Sequence, residues 1–167
     1  MTDAPLTDRA RAFALSRHVD QVDKLGVPIA AHLEDVARRV QRRGEAIEAI
    51  AWVHDVVEDH LARLDEVEAL LGATIAQAVQ ALARQPGEVY FADYIPRVLA
   101  QPDARIIKHA DACHNRGKAH LIQDQKARKS LAKRYDRVLR LIAEADPDLR
   151  ADAWYDLVYQ DGSWRRA

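Results

Sequence analysis

The sequence contains few of the residues that interrupt helices or cross-link a chain. Its 167 residues include one cysteine, six glycines and six prolines. The single cysteine, Cys113, rules out a disulfide within the chain, and the scarcity of glycine and proline leaves long stretches able to form helices. We therefore expect an all-α fold. The length suits one domain, which we place at residues 1–167, with its core at about 7–144 and a helical extension at 145–167.

The sequence also lacks an excess of either charge and lacks a long apolar run. Its 25 lysines and arginines are balanced by 26 aspartates and glutamates, so no basic surface would attract DNA, RNA or an anionic membrane. No apolar stretch approaches the length that spans a membrane, and the charged N-terminus does not resemble a signal peptide. We expect a cytoplasmic protein without nucleic-acid or membrane partners.

The spacing of apolar residues and of helix-ending residues predicts a series of helices. We place them at residues 7–20, 30–43, 47–59, 64–71, 74–84, 90–99, 104–120 and 126–144, with a last short helix around Trp154, Leu157 and Val158. Thr7, Thr74 and Asp103 are residue types that cap helix N-termini, and each lies at the start of one predicted helix.

The predicted helix at residues 47–59 carries one polar stripe on an otherwise apolar surface. His54, Asp55, Glu58 and Asp59 fall at positions i, i+1, i+4 and i+5, whereas most other positions are apolar. A helix this apolar is normally buried, and carboxylates crowded on it repel one another and lose hydration unless a cation or hydrogen-bond donors compensate. The stripe therefore predicts a metal site.

Two further residues are candidate metal ligands. His32 lies near the start of the second predicted helix, and Asp111 lies on the seventh. Adjacent helical residues such as His54 and Asp55 point about 100° apart, so one ion can contact both only if neighbouring helices supply the remaining ligands. Two imidazoles and two carboxylates favour Mn²⁺, Fe²⁺ or Zn²⁺ over a purely oxygen-seeking ion. Four protein ligands leave coordination positions for water or substrate.

Several motifs together resemble those of a known family, the HD-domain phosphohydrolases, and specifically the alarmone hydrolase branch of the RelA/SpoT proteins. The resemblance covers roughly residues 10–142. The matching segments are His18-x-x-Gln21, Lys24-x-Gly26-x-Pro28-x-x-x-His32, Trp52-Val-His-Asp-Val-Val-Glu-Asp59, Arg84-x-Pro-Gly-Glu-x-Tyr90 with Tyr94, and Lys108-x-Ala-Asp111-x-x-x-Asn115. The segment at 84–90 is similar to that of the small stand-alone members.

The resemblance implies a compact helical HD-domain fold, a metal and a reaction. In the family, the residues that match His32, His54, Asp55 and Asp111 hold Mn²⁺. The reaction removes pyrophosphate from the 3′ position of guanosine tetra- or pentaphosphate and leaves GDP or GTP.

The resemblance also implies roles for the other residues of the cluster. Glu58 and Asp59 match an acidic pair that activates or positions the attacking water. Asn115 matches an asparagine at the ribose, and Lys24 and Lys108 are candidate phosphate contacts.

The sequence leaves alternatives to this function. Asp23 stands where alarmone hydrolases usually have an arginine that stacks on the base, so the substrate could instead be an adenosine equivalent. The chain could also be a nucleotidase or phosphodiesterase for another nucleotide, or a metal-containing nucleotide-binding regulatory module with little turnover. A homo-oligomer is compatible with the sequence. Synthetase activity is not expected, because no Gly-x-x-x-x-Gly-Lys loop is present.

The remaining histidines and the cysteine favour structural roles. None of them matches a ligand position of the family, and histidines near helix ends commonly interact with carbonyl groups or with the helix dipole. Cys113 is expected to be a small buried apolar residue. The histidines concerned are His60, His109, His114 and His120.

Overall fold

The computed structural model describes residues 4–167, and in this range eight α-helices are followed by one β-hairpin. The all-α prediction is confirmed. The helices are α1 (Leu6–Arg17), α2 (Ile29–Val40), α3 (Glu45–Val53), α4 (Leu64–Leu71), α5 (Ala73–Leu82), α6 (Ile95–Ala100), α7 (Pro102–Lys118) and α8 (Gln125–Ala145). Short helical turns at Gln41–Arg43, Tyr90–Tyr94 and Ala119–Leu121 flank α2, α6 and α7. Within residues 4–167, every helix is too short or too polar to cross a membrane.

Helix α3 lies at the centre of the core. Its residues from Ala49 to Val53 are all buried, and it packs against α1, α2, α5 and α7. Because α2 and α7 also pack against each other, the end of α3 faces side chains from both of these helices. This arrangement determines which residues can meet at the functional site.

Helix α3 ends at Val53, six residues earlier than the sequence predicts. The ring of His54 explains the early end, because its Nδ1 lies 2.6 Å from the Ala51 carbonyl oxygen. A continuing helix would use that oxygen for the backbone N–H of Asp55. The chain continues as a turn at residues 54–60, and the Val53 carbonyl accepts from the N–H of Val56 at 3.2 Å. The polar stripe therefore lies on a tight turn and not on a helix.

The predicted N-caps are wrong. Helices α1 and α5 begin one residue before Thr7 and Thr74, following Pro5 and Gly72, and neither has a side-chain cap. In α7 the cap is Gln101, whose side-chain oxygen accepts the N–H of Ala104 at 2.6 Å. Pro102 explains the shift, since proline is favoured at the first helical position and moves the start of the helix ahead of Asp103.

The prediction of a helical extension at residues 145–167 is also wrong. After α8 the chain forms an antiparallel hairpin of β1 (Leu157–Gln160) and β2 (Ser163–Arg166). Asp161 and Gly162 connect the strands with φ angles of 51° and 78°. Asp-Gly is a strong hairpin signal, because a tight two-residue turn needs positive φ at both positions.

The hairpin closes a second, smaller apolar cluster. Leu157 and Trp164 are buried and pack with Val27 and Ala31. The backbone oxygen of Trp164 accepts a hydrogen bond from Arg38 of α2 at 2.8 Å. The C-terminal segment therefore covers one side of α2 and α7.

Gly117 allows this close approach. A Cβ at this position would collide with the backbone carbonyl oxygen of Tyr155 and crowd the side chain of Leu157. We expect Gly117→Ala to lower the free energy of unfolding by about 1–3 kcal/mol through overpacking, although alanine is ordinarily about 0.5–1 kcal/mol better than glycine within a helix. Urea denaturation measures the change.

The exposed Ser130 of α8 provides the matched control. Ser130→Ala should stabilise the protein by a few tenths of a kcal/mol through helix propensity alone. A Gly117→Ala variant as stable as the wild type would contradict the close approach of the C-terminal segment.

Candidate metal centre

Three side chains from α2 and the end of α3 meet at one point. His32, His54 and Asp55 each offer a ligand atom, and these atoms lie within 4.8 Å of one another. The Nε2 atoms of the two histidines are 3.3 Å apart. The Asp55 carboxylate oxygens lie 3.6 Å from Nε2 of His32 and 3.3 Å from Nε2 of His54.

These distances suit a bound divalent ion. A metal ion binds imidazole nitrogen at about 2.0–2.1 Å, so two nitrogens on one ion lie about 2.9–3.4 Å apart for angles between a right angle and the tetrahedral angle. The separation of 3.3 Å between the two histidine nitrogens falls within this range. The donor set of two imidazoles and a carboxylate suits a transition metal.

The same hydrogen bond that ends α3 also determines the tautomer of His54. A carbonyl oxygen only accepts, so Nδ1 of His54 must carry the hydrogen that it donates to Ala51 at 2.6 Å. Nε2 then keeps a lone pair directed at the cluster. A hydrogen bond of this kind is the usual way in which proteins orient a histidine that binds a metal.

Asp111 of α7 stands beside the cluster. Its Oδ1 lies 3.5 Å from Nε2 of His32 and accepts a hydrogen bond from Asn115 at 2.6 Å. Its Oδ2 accepts from Lys108 at 2.8 Å. Although burial opposes ionisation, Lys108 and the histidines hold the pKa of Asp111 below its usual value. The carboxylate is therefore ionised and available as a fourth ligand.

Lys108 is buried inside the cleft and does not extend to solvent. Burial alone would lower the pKa of its ammonium group, but the charge of Asp111 outweighs that effect and keeps the pKa well above its usual value. The ammonium also lies 5.4 Å from the centre of the Tyr94 ring. A fixed positive charge thus remains next to the candidate metal ligands.

Glu58 and Asp59 lie on the turn that follows α3. Glu58 accepts the backbone N–H of Arg84 at 2.9 Å. Its side chain is open to solvent, but partial desolvation by the cleft wall, together with the charges of Asp55 and Asp111, raises the pKa of its carboxyl group. A raised pKa makes the carboxylate a stronger base.

Asp59 is held by a chain of hydrogen bonds from the end of α1. The amide of Gln21 donates to Asp59 at 2.8 Å, and the side-chain oxygen of Gln21 accepts from Nδ1 of the buried His18. The His18-x-x-Gln21 motif therefore acts on the cleft through Asp59.

A single cleft of about 210 Å³ contains most of the predicted site residues. Eight of the predicted residues line it: His32, His54, Asp55, Glu58, Asp59, Lys108, Asp111 and Asn115. Lys24 does not; it is exposed on the loop before α2 and lines a separate cavity with Leu25 and Arg134.

Part of the cleft wall consists of residues that the sequence did not identify as site residues. Lys118, Tyr135, Ile29 and Leu82 also line it, together with Tyr94, which appeared only as part of a motif. Lys118 was detectable, because it lies seven residues after Asp111 and thus on the same face of α7. The others come from separate helices and carry no motif.

Asp23 anchors the loop before α2. One carboxylate oxygen accepts the backbone N–H groups of Leu25 and Val27 at 2.8 and 3.1 Å, and the other accepts from Lys118 at 3.0 Å. Against the effect of burial, these bonds lower the pKa of Asp23. Both oxygens are engaged within the protein, so the residue shapes the loop and holds Lys118 at the edge of the cleft.

Comparisons with known proteins support the resemblance that the motifs indicate. No family model matches the chain. It is 38% identical over 87 residues, half of its length, to a probable guanosine-3′,5′-bis(diphosphate) 3′-pyrophosphohydrolase of Synechocystis sp.. It is 30% identical over 119 residues, 68% of its length, to the guanosine-3′,5′-bis(diphosphate) 3′-pyrophosphohydrolase MESH1 of Danio rerio. The chain is a relative of the alarmone hydrolases.

The fold of the chain also matches a solved structure. A metazoan ortholog of SpoT, described as hydrolysing ppGpp, superposes with a TM-score of 0.70 at 20% identity, over 89% of this chain and 96% of the other. The chain spans only part of these relatives: the match covers 11% of the length of the Synechocystis protein and 61% of the length of the Danio rerio protein. The match to the solved structure confirms the predicted helical HD-domain fold.

Binding of a divalent ion to the cluster of His32, His54 and Asp55 should be measurable without any substrate. At an Mn²⁺ concentration 100 times the dissociation constant, the folded state should gain about 2.7 kcal/mol. That gain corresponds to a rise of about 5–11 °C in Tm for a chain of this size. His54→Ala should abolish the rise, whereas His120→Ala, outside the cleft, should retain it. Differential scanning calorimetry with and without Mn²⁺ measures both, and an equal rise in the two variants would contradict the site.

Proposed function

We propose that the chain is a metal-dependent phosphohydrolase that removes the 3′-pyrophosphate from guanosine 3′,5′-bis(diphosphate), its pentaphosphate form or a related nucleotide such as the adenosine equivalent. One observation carries the proposal: the candidate ligands, the acidic pair and two lysines line a single cleft. The names of the similar proteins from Synechocystis and Danio rerio support the same reaction.

The charges in the cleft support a metal-dependent reaction. Four carboxylates line the cleft against two lysine ammonium groups, and an anionic pyrophosphate would be repelled. One divalent cation brings the balance to zero. The residues concerned are Asp55, Glu58, Asp59 and Asp111 on the acidic side and Lys108 and Lys118 on the basic side.

His32, His54, Asp55 and Asp111 would hold the ion, which we propose to be Mn²⁺. When bound, the ion activates water for attack and offsets negative charge on the phosphates. The nitrogen and oxygen atoms of His32, His54 and Asp55 lie 3.3–3.6 Å apart, and Asp111 approaches Nε2 of His32 to 3.5 Å.

Glu58 and Asp59 act on the attacking water. Glu58 takes the proton on its carboxylate, and its raised pKa suits it to this task. Asp59, fixed by Gln21, orients the water. The carboxylates come from a turn whose backbone is held by hydrogen bonds to Val53 and Val56, so both positions are well defined.

The lysines and Asn115 contact the nucleotide. Lys108 and Lys118 are each held by one aspartate, at 2.8 and 3.0 Å, and their remaining N–H groups can donate to phosphate oxygens. Asn115 is oriented by its bond to Asp111 and contacts the ribose. Lys24, outside the cleft, remains a proposed phosphate contact, since a nucleotide extends beyond a cleft of about 210 Å³.

Glu58→Gln tests the assignment of the base. We expect turnover to fall about 10²–10⁴-fold, because the amide cannot accept the proton, while nucleotide binding is retained. Pyrophosphate release from guanosine 3′,5′-bis(diphosphate) in the presence of Mn²⁺ measures turnover, and calorimetric titration measures binding. Glu68→Gln, an exposed change on α4, is the matched control and should have wild-type turnover.

The same assay separates the alternative functions. Release from the adenosine nucleotide alone would assign the other base. Hydrolysis only of nucleotides without a 3′-pyrophosphate would indicate a nucleotidase or phosphodiesterase. Tight nucleotide binding without turnover in the wild type would indicate a regulatory binding module and overturn the proposed reaction.

A further inference from the structure

A second pair of buried polar residues lies directly behind the candidate metal centre. Asp35 of α2 and His114 of α7 are 1% and 0% exposed. Nδ1 of His114 lies 2.8 Å from Oδ2 of Asp35. Neither residue lines the cleft, and neither belongs to the group of candidate ligands.

The protonation of this pair follows from its surroundings. Arg38 and Arg39 donate to Asp35 at 2.5 and 2.8 Å. Against the effect of burial, His114 and Arg39 hold the pKa of Asp35 well below its usual value. An ionised carboxylate only accepts, so Nδ1 of His114 carries the hydrogen. A neutral His114 ring with its hydrogen on Nδ1 has its lone pair on Nε2.

The ring of His114 packs against the ring of His32. The rings of His32 and His114 meet edge to face with their centres 4.5 Å apart. Within residues 4–167, Nδ1 of His32 and Nε2 of His114 are both buried without a hydrogen-bond partner. A His32 that binds an ion through Nε2 must carry its hydrogen on Nδ1. The two unpartnered nitrogens are therefore a donor and an acceptor on touching rings.

We propose that Asp35 and His114 are positioning residues that hold the ring and tautomer of His32 for metal binding. The proposal rests on the proposed function, since it takes His32 as a metal ligand. Histidines that bind metals usually donate their second N–H to an acceptor supported by the protein, and loss of that acceptor typically weakens metal affinity 10–100-fold. His54 has the Ala51 carbonyl for this purpose, and the proposed acceptor for His32 is Nε2 of His114, on the ring packed against it.

The C-terminal hairpin seals the pair. Trp164 packs edge to face on His114 with the ring centres 5.3 Å apart, and its backbone oxygen accepts from the same Arg38 that binds Asp35. His114 has no exposed surface and is closed to bulk solvent.

His114→Phe removes the acceptor while keeping a ring between His32 and Trp164. We expect the dissociation constant for Mn²⁺, measured by titration calorimetry on the full chain without substrate, to rise about 10–100-fold. The visible absorption spectrum of bound Co²⁺ should also change. His109→Phe is the matched control, because His109 lies on the same helix in a separate cavity, and it should leave both readouts unchanged.

A double variant distinguishes the positioning role of His114 from a purely structural role. If His114 acts through His32, adding His114→Phe to His32→Ala should cause no further loss of Mn²⁺ affinity, whereas general loosening would weaken both backgrounds. Should His114→Phe not fold, Asp35→Asn provides the second variant, with the same increase in the dissociation constant expected.

Wild-type Mn²⁺ affinity in a folded His114→Phe or Asp35→Asn variant would overturn the positioning role and leave the proposed function intact. A wild-type chain that binds neither Mn²⁺ nor Co²⁺ would overturn both.

Discussion

The repulsion among carboxylates at the end of α3 is the constraint on which the rest of the site depends. Asp55, Glu58 and Asp59 follow one another on a tight turn, and Asp111 approaches them from α7. Such a concentration of negative charge in a partly dry cleft is stable only with compensating groups. The structure supplies two histidines and two lysines directly, and the geometry of the histidine nitrogens leaves room for a cation.

Several functional side chains are held by partners outside the cleft. The Ala51 carbonyl orients His54, Gln21 holds Asp59, and Asp23 holds Lys118. These partners come from α3 and from the loop between α1 and α2, so the cleft is supported from more than one side. Asp35 and His114 form a comparable support behind His32. A site of this kind depends on packing between helices as much as on the residues that line it.

Much of the fold and the site was predictable from local patterns. Helix α4 has the predicted bounds, and α2, α7 and α8 agree to within a few residues, because apolar periodicity and glycine or proline breaks act locally. The His-Asp run and its partners identified eight residues of one cleft. The early end of α3 was not predictable, since it depends on a side chain that competes for a backbone oxygen.

The sequence by itself determined the helical fold class, the family resemblance and the chemical types present at the site, because these follow from composition and from spacing along the chain. Only the tertiary structure decided which residues meet. It brought Lys118 into the cleft and left Lys24 outside, and it formed a β-hairpin where a helix was predicted. It also placed His114 between His32 and Trp164. Tertiary contacts such as that between Arg38 and Trp164 join residues 126 positions apart, and their free energy depends on packing that no local pattern records.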